Sequence, residues 1–226
     1  MADGSAFRNP GITNSHERLA MYFVATHPLI RHKLARLRHR DTTTPQFREL
    51  VYEISQYLFY EATTDAKIRE VTVPTPLVTA RCHELADRIG IIPVLRAGLG
   101  MANAMLDALP EASVWHIGMA RDHATWLPET YYKKLPGLDR LELGLVLDPM
   151  LATGGSAIET LTLLKTAGIP RLKFVGLIAS PEGVAALQAA HPEVDIYLAA
   201  LDEKLDENKY IVPGLGDAGD RQFGTT

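Results

Sequence analysis

LGLVLDPMLATGGSAIETLTLLKTA, residues 143–167, joins three kinds of sequence. Leu143-Gly144-Leu145-Val146-Leu147 is a short apolar run and predicts a buried strand. Ala157, Ile158, Leu161, Leu164 and Ala167 recur at helical spacing, Gly168 suits a C-terminal cap and Pro170 stops continuation. Between strand and helix lies Asp148-Pro149-Met150-Leu151-Ala152-Thr153-Gly154-Gly155-Ser156. A strand that runs through small residues into a helix N-terminus leaves several main-chain N–H groups at the positive end of a dipole. That corner is an anion site, and a phosphate fits it without a basic side chain.

The type of phosphate site follows from what is missing. No lysine follows Gly154-Gly155, so the triphosphate loop G-x-x-x-x-G-K-[ST] is absent, and G-x-G-x-x-G is absent here as well. What remains is an acid ending a strand, then Ala-Thr-Gly-Gly-Ser. The acid can orient ribose hydroxyls while the Thr153 and Ser156 hydroxyls and main-chain amides hold a monophosphate. A packing corner needs glycines too, but it does not need acid, hydroxyls and glycines in that order. The stretch resembles the phosphoribosyl-diphosphate (PRPP) motif of the type I phosphoribosyltransferases.

The same architecture recurs upstream. Ile91 to Leu95 predicts a buried strand, Arg96-Ala97-Gly98-Leu99-Gly100 a tight loop and Met101 to Leu109 a helix. An arginine fork beside open amides suits a diphosphate. Ser113 to Ala120 is read as a further strand, Leu172 to Ala179 as another, and Val194 to Ala200 as the last. Ser180 caps a helix over Pro181 to Ala190, with Pro181 at its first position. Strands alternating with helices predict an α/β fold with a parallel sheet covered on both faces.

Residues 1–26 read as a tail or arm: Met1 to about Asn14 is small and polar, and Arg18 to Thr26 could form a strand. The main domain is assigned to 27–226. His27 to Arg40 is a basic amphipathic helix with Leu29, Ile30, Leu34 and Leu37 on one side; its charges are read as a solvated face, with an allosteric or subunit contact as the alternative. Thr44 is expected to cap a helix that starts at Pro45 and runs to about Ala62. Val71 to Val78 alternates but holds Pro74 and Pro76, which predicts an edge hairpin or a connection and not a central strand. Residues 121–138, polar and aromatic, predict a two-stranded flap in which Tyr131, Tyr132, Lys133 and Lys134 could meet phosphates. Residues 201–226 include a glycine-rich loop from Ile211 to Asp220, where main chain can approach a flat ligand closely. Ile211, Val212, Leu215 and Phe223 are expected to be buried and so to hold it down.

Composition sets outer bounds. The chain has 226 residues, 46% of them hydrophobic, enough for one substantial core. A net charge of −4 gives no electrostatic case for nucleic acid or an anionic membrane. The lone Cys82 excludes an internal disulfide and suits a reducing cytoplasm. No apolar run is long enough to span a membrane and no signal peptide is evident, so a cytoplasmic location is expected.

Taken together, VLRAGLGM (94–101), VLDPMLATGGS (146–156), SPEGVAAL (180–187) and YIVPGLGDAGDRQFGT (210–225) resemble the uracil phosphoribosyltransferases over about 27–224. The resemblance implies the type I phosphoribosyltransferase fold, a central parallel sheet flanked by helices, with a flexible flap and a small hood. It implies conversion of uracil and PRPP to UMP and diphosphate, with Mg²⁺ on the PRPP. By motif, Asp148, Pro149, Met150, Leu151, Ala152, Thr153, Gly154, Gly155 and Ser156 would hold PRPP, and Arg96 and Arg121 its diphosphate. Ile211, Gly216, Asp217 and Ala218 would bind uracil, with Asp217 also near PRPP. Arg96, Asp148 and Asp217 are the catalytic candidates. Pro149 stands where the wider type I pattern has a second acid, so no residue is assigned as a direct metal ligand. Relatives imply a homo-oligomer, and some respond to GTP as an allosteric effector. No residue here marks a GTP site, and the basic Arg31 to Arg40 segment is where one would be sought. Two alternatives stay open at this stage: a nucleotide-sensing or RNA-binding regulator on the same fold, and a hypoxanthine or xanthine enzyme.

Overall fold

The computed structural model describes residues 21–121, 128–133, 137 and 140–225. In chain order its elements are β1 (Tyr22–Val24), α1 (Pro28–Arg38), α2 (Thr44–Ala62), β2 (Ile68–Pro74), β3 (Thr79–Leu85), β4 (Ile89–Leu95) and α3 (Leu99–Ala108). They continue with β5 (Ser113–Val114), β6 (Ile117–Arg121), β7 (Pro128–Lys133), β8 (Leu143–Leu147), β9 (Met150–Leu151) and α4 (Gly155–Thr166). The last are β10 (Leu172–Ala179), α5 (Pro181–Ala190), β11 (Asp195–Leu201), β12 (Lys204–Leu205), β13 (Ile211–Val212) and α6 (Ala218–Phe223).

The main sheet runs β1-β11-β10-β8-β4-β6-β7, with β5 beside β4 and β9 beside β10. Every pairing in it is parallel except β6 with β7. Alternate residues of the apolar strands supply two separate cores, as the period of two requires. Ile91, Leu145, Leu147, Val175 and Leu177 pack toward α1, α2 and α3. Ile92, Val146, Phe174, Ile196 and Leu198 pack toward α4 and α5. Burial on both faces is why these strands read as unbroken apolar runs. The chain leaves β4 toward β6 on one side and later passes from β8 to β10 on the other. The sheet therefore switches direction between β4 and β8, and their C-terminal ends open a crevice.

Several local expectations are corrected. The cap of α2 is Thr43, one residue earlier than expected, because Gln46 Oε1 reaches back to the Thr43 N–H at 3.1 Å and Pro45 is tolerated at the second position. Leu29 is exposed: Ile30, Leu34 and Leu37 form the buried stripe of α1, and Leu29 lies one position round from it. The strand expected over Ser113 to Ala120 is two, because β5 pairs with the start of β4 and β6 with its end, leaving Trp115 and His116 between. The hairpin is longer than 71–78: β2 and β3 pair antiparallel as a separate two-stranded sheet, with Pro74 at its end and Pro76 in the turn. The C-terminal segment contains a short helix, α6, that the glycine content hid. Phe223 is exposed, since Ala218, Gly219 and Gln222 take the inner face of that helix.

No helix among the described residues is long and apolar enough to cross a membrane. A cavity of about 820 Å³, bordered by Asp87, Ser113, Trp115 and Leu141, lies at the N-terminal ends of β4 and β5, away from the crevice.

Candidate active site

Three chain segments meet at the C-terminal ends of β4, β8 and β11. The first follows β4. The Leu95–Arg96 peptide is cis, and Gly98 lies so close to the end of β8 that a Cβ would stand 2.3 Å from Leu147 O. Only glycine lets these neighbouring strand ends touch. Arg96 is exposed, with Nη2 3.7 Å from Asp220 Oδ1 and its guanidinium 6.0 Å from the Phe223 ring centre.

The second segment is 148–156. Pro149 is buried and its carbonyl accepts from the Leu177 and Ile178 N–H groups at 3.0 Å. Met150 and Leu151 form β9 against β10, so only the part from Ala152 onward is a loop. Gly154 caps α4 with φ +83°, and the first turn, Gly155 and Ser156 onward, presents N–H groups that have no intrahelical acceptor. The loop rests on α5. Ser180 Oγ donates to Ala152 O at 2.7 Å and accepts from the Gly183 N–H at 2.9 Å. A Cβ on Gly183 would lie 2.3 Å from Ala152 O. The SPEGVAAL block is thus a support for the phosphate corner as well as a helix start, a role that its capping pattern alone did not reveal.

The third segment is C-terminal. Asp217 caps α6, its Oδ1 accepting from the Asp220 N–H at 2.9 Å. Ile211 and Ala218 are buried, whereas Gly216 and Asp217 are exposed. Gln222 is fully buried and its Nε2 donates to Ala97 O at 2.9 Å and Ala218 O at 3.1 Å, joining this segment to the first. Arg221 stacks 4.4 Å from the Phe47 ring centre and donates to Leu215 O and His39 O, both at 2.7 Å. Arg48 donates to Gln222 O at 2.9 Å. Arg48, Arg221 and Gln222 did not stand out in the sequence, since partners of each lie far away along the chain.

Asp148 and Asp217 come from different segments yet feel each other. Burial, with the Asp217 charge added, pushes the Asp148 carboxyl up to about 7, although the Met150 N–H at 3.3 Å favours its ionised form. No group of three or more His, Cys, Asp or Glu among the described residues is placed to hold a metal ion.

Of the other expected site residues, Arg121 ends β6, and its side chain lies outside the described residues. The flap assignment to 121–138 is covered only by the antiparallel pairing of β6 with β7. The side chains of Tyr131 and Lys133 and the whole of Lys134 are likewise outside the described residues.

The crevice thus combines a helix-N-terminal phosphate corner, an arginine at a second strand end and a glycine-rich segment that exposes main chain. Comparison with known proteins identifies the family. A family model described as uracil phosphoribosyltransferase matches residues 24–225. A uracil phosphoribosyltransferase of Roseiflexus castenholzii is 58% identical over 203 residues, covering 90% of this chain and 98% of the relative. One from Listeria welshimeri is 52% identical over 208 residues, covering 92% of this chain and 100% of the relative. Among solved structures, the AQ2163 protein from Aquifex aeolicus aligns with a TM-score of 0.87 at 36% identity, covering 91% of this chain and 99% of that one.

Proposed function

The chain belongs to the uracil phosphoribosyltransferase family, and from that premise we propose how its crevice carries out the transfer. The activity is transfer of the phosphoribosyl group of PRPP to uracil, giving UMP and diphosphate. Residues 152–156 hold the 5-phosphate, Asp148 takes the ribose hydroxyls, and Arg96 with Arg121 holds the diphosphate. Ile211, Gly216 and Ala218 read uracil through main-chain groups, and Asp217 lies between base and PRPP. The observation that carries this assignment is the convergence of the phosphate corner, Arg96 and the Asp217 turn at the sheet's switch point.

Displacement at the anomeric carbon builds positive charge on the ribose and negative charge on the leaving diphosphate. The chain's main task is to stabilise that departing anion with Arg96, Arg121 and loop amides already in place. Uracil presents acceptor, donor and acceptor along O2, N3 and O4. Main-chain groups can mirror that pattern, and cytosine would set a donor against a donor. Mg²⁺ would be held mainly by PRPP oxygens and water with Asp148 nearby, whose charge, disfavoured by burial and by Asp217, a cation would relieve. When bound it neutralises diphosphate charge.

The same proposal includes a cytoplasmic setting, a homo-oligomer and a GTP effector. Exposed Ile68, Leu77, Val78 and Leu85 on the β2–β3 hairpin support assembly with a second copy. Exposed Arg36 and His39 beside a groove of about 490 Å³ between α1 and α2 support an anionic effector there.

The test is incubation with PRPP, Mg²⁺ and uracil, cytosine, hypoxanthine or orotate, with and without GTP. UMP from uracil alone is expected. Binding of UMP without turnover of any base would favour a sensor instead.

A further inference from the structure

Resting on the uracil-binding assignment above, we propose that Arg38 and Asp202 are positioning residues for uracil, fixing the base-reading segment through Gly214. Asp202 follows β11 directly, and its N–H donates to Ala179 O at 2.8 Å, so it is registered to the parallel sheet. Its carboxylate is buried, with 3% of the side chain exposed. It accepts from both terminal nitrogens of Arg38, Nη1 at 2.7 Å and Nη2 closer still, and from the Gly214 N–H at 2.9 Å. Arg38 Nη1 also donates to Gly214 O at 2.7 Å. One ion pair therefore holds both main-chain polar groups of Gly214.

The location gives this clamp its meaning. Gly214 lies between Ile211 and Gly216, two of the groups assigned to uracil. Its φ is +67°, and a Cβ there would stand 2.1 Å from Ile211 O, so the turn is tight as well as tethered. A site that reads a base with main chain has no side chain to swing into place. Its selectivity depends on holding backbone within about 0.5 Å. The clamp supplies that reference by joining the segment to the sheet through Asp202 and to α1 through Arg38. Arg38 is the last residue of α1, so the end of the basic helix acts on the base segment and is not simply a solvated face. A guanidinium is required because its planar fork serves two carboxylate oxygens and a carbonyl together, whereas an ammonium is a single point.

The experiment uses the full chain with Arg38→Lys and, separately, Asp202→Asn. It measures steady-state kinetics against uracil and PRPP, thermal melting, and hydrogen–deuterium exchange. In Arg38→Lys the KM for uracil is expected to rise on the order of tenfold or more, with the KM for PRPP within about twofold of wild type. Exchange should quicken at 211–218 while β10 and β11 stay protected. Asp202→Asn should show the same pattern. A uracil KM within about twofold of wild type in a folded variant, or an equal rise in both KM values, overturns the proposal. So does global unfolding of both variants, which would make the pair part of the core. Failure of the unmodified chain to make UMP would instead sink the uracil assignment; faster exchange at 211–218 in Arg38→Lys would still support the clamp.

Discussion

Arg96 makes its contacts from the surface: a long ion pair to Asp220 and a place over the Phe223 ring, with 57% of its side chain exposed. Its removal should therefore cost little stability. Arg96→Ala is expected to melt close to wild type while kcat falls on the order of a hundredfold or more, because the leaving anion loses a placed charge. Near-normal turnover would remove Arg96 from the diphosphate site. Asp217 has two jobs that one substitution can separate. Asparagine still caps a helix, so Asp217→Asn should keep the fold and impair the reaction, whereas Asp217→Ala should also lose about 1 kcal/mol of stability. Circular dichroism and melting beside kinetics distinguish the two. Asp148 gives a pH prediction. Its folded value of about 7 lies above the ordinary 3.8, so the folded state binds the proton more tightly than the unfolded chain. Stability from this group is fully present below about pH 4 and is lost as pH rises through 7. Asp148→Asn should accordingly raise the melting temperature at pH 8 more than at pH 5. Ribose hydroxyls donating to Asp148 and a cation beside it favour the ionised acid, so binding of PRPP together with Mg²⁺ near neutral pH should release a proton, which calorimetry in buffers of different ionisation heat would detect. Of these residues, Arg96, Asp148 and Asp217 were legible because each sits in a contiguous motif. Arg38 and Asp202 were not: 164 positions separate them, and nothing local marks either as a partner.

The strand–loop–helix units were legible because doubly covered strands must be apolar throughout and because α5 is started by a cap and a proline. The boundaries and extents that went astray share a cause. Thr43, the break at Trp115 and the length of the hairpin were set by hydrogen bonds, to Gln46 three residues on, to Ile91 and across the hairpin, none of which hydrophobic periodicity reports. The glycines of the site divide in the same way. Gly154 announces itself as the cap of α4, but Gly98 and Gly183 are required by carbonyls of other elements. Gly183→Ala is therefore expected to act at the phosphate corner from a neighbouring helix. The new methyl must displace Ala152, at a cost of about 1–3 kcal/mol for overpacking, and the KM for PRPP should rise more than that for uracil. Melting and kinetics with each substrate varied check this. An unchanged KM for PRPP would mean that the loop yields without consequence.

At the scale of the whole molecule, strand order escaped the sequence because it depends on which apolar strands become neighbours, and many have interchangeable faces. That order nevertheless decides where the chemistry can be, since the switch between β4 and β8 creates the crevice. The hairpin shows the converse. Only part of its first strand was legible, as the alternating run from Val71; its second strand and its separation from the main sheet were not, because Leu77 at 96% and Val78 at 71% exposure defy the rule that apolar residues seek the core. If a second copy covers them, Leu77→Glu together with Val78→Glu should lower the mass found by sedimentation while leaving the melting of the sheet largely unchanged. An unaltered mass would place the subunit contact elsewhere. Cys82, the chain's single thiol, stands opposite Val71 on that same hairpin. The molecule thereby carries its own attachment point for a fluorophore, in single copy and on the surface in question. The rate at which a maleimide reacts there, followed as the protein is diluted, becomes a gauge of association in the unmutated chain.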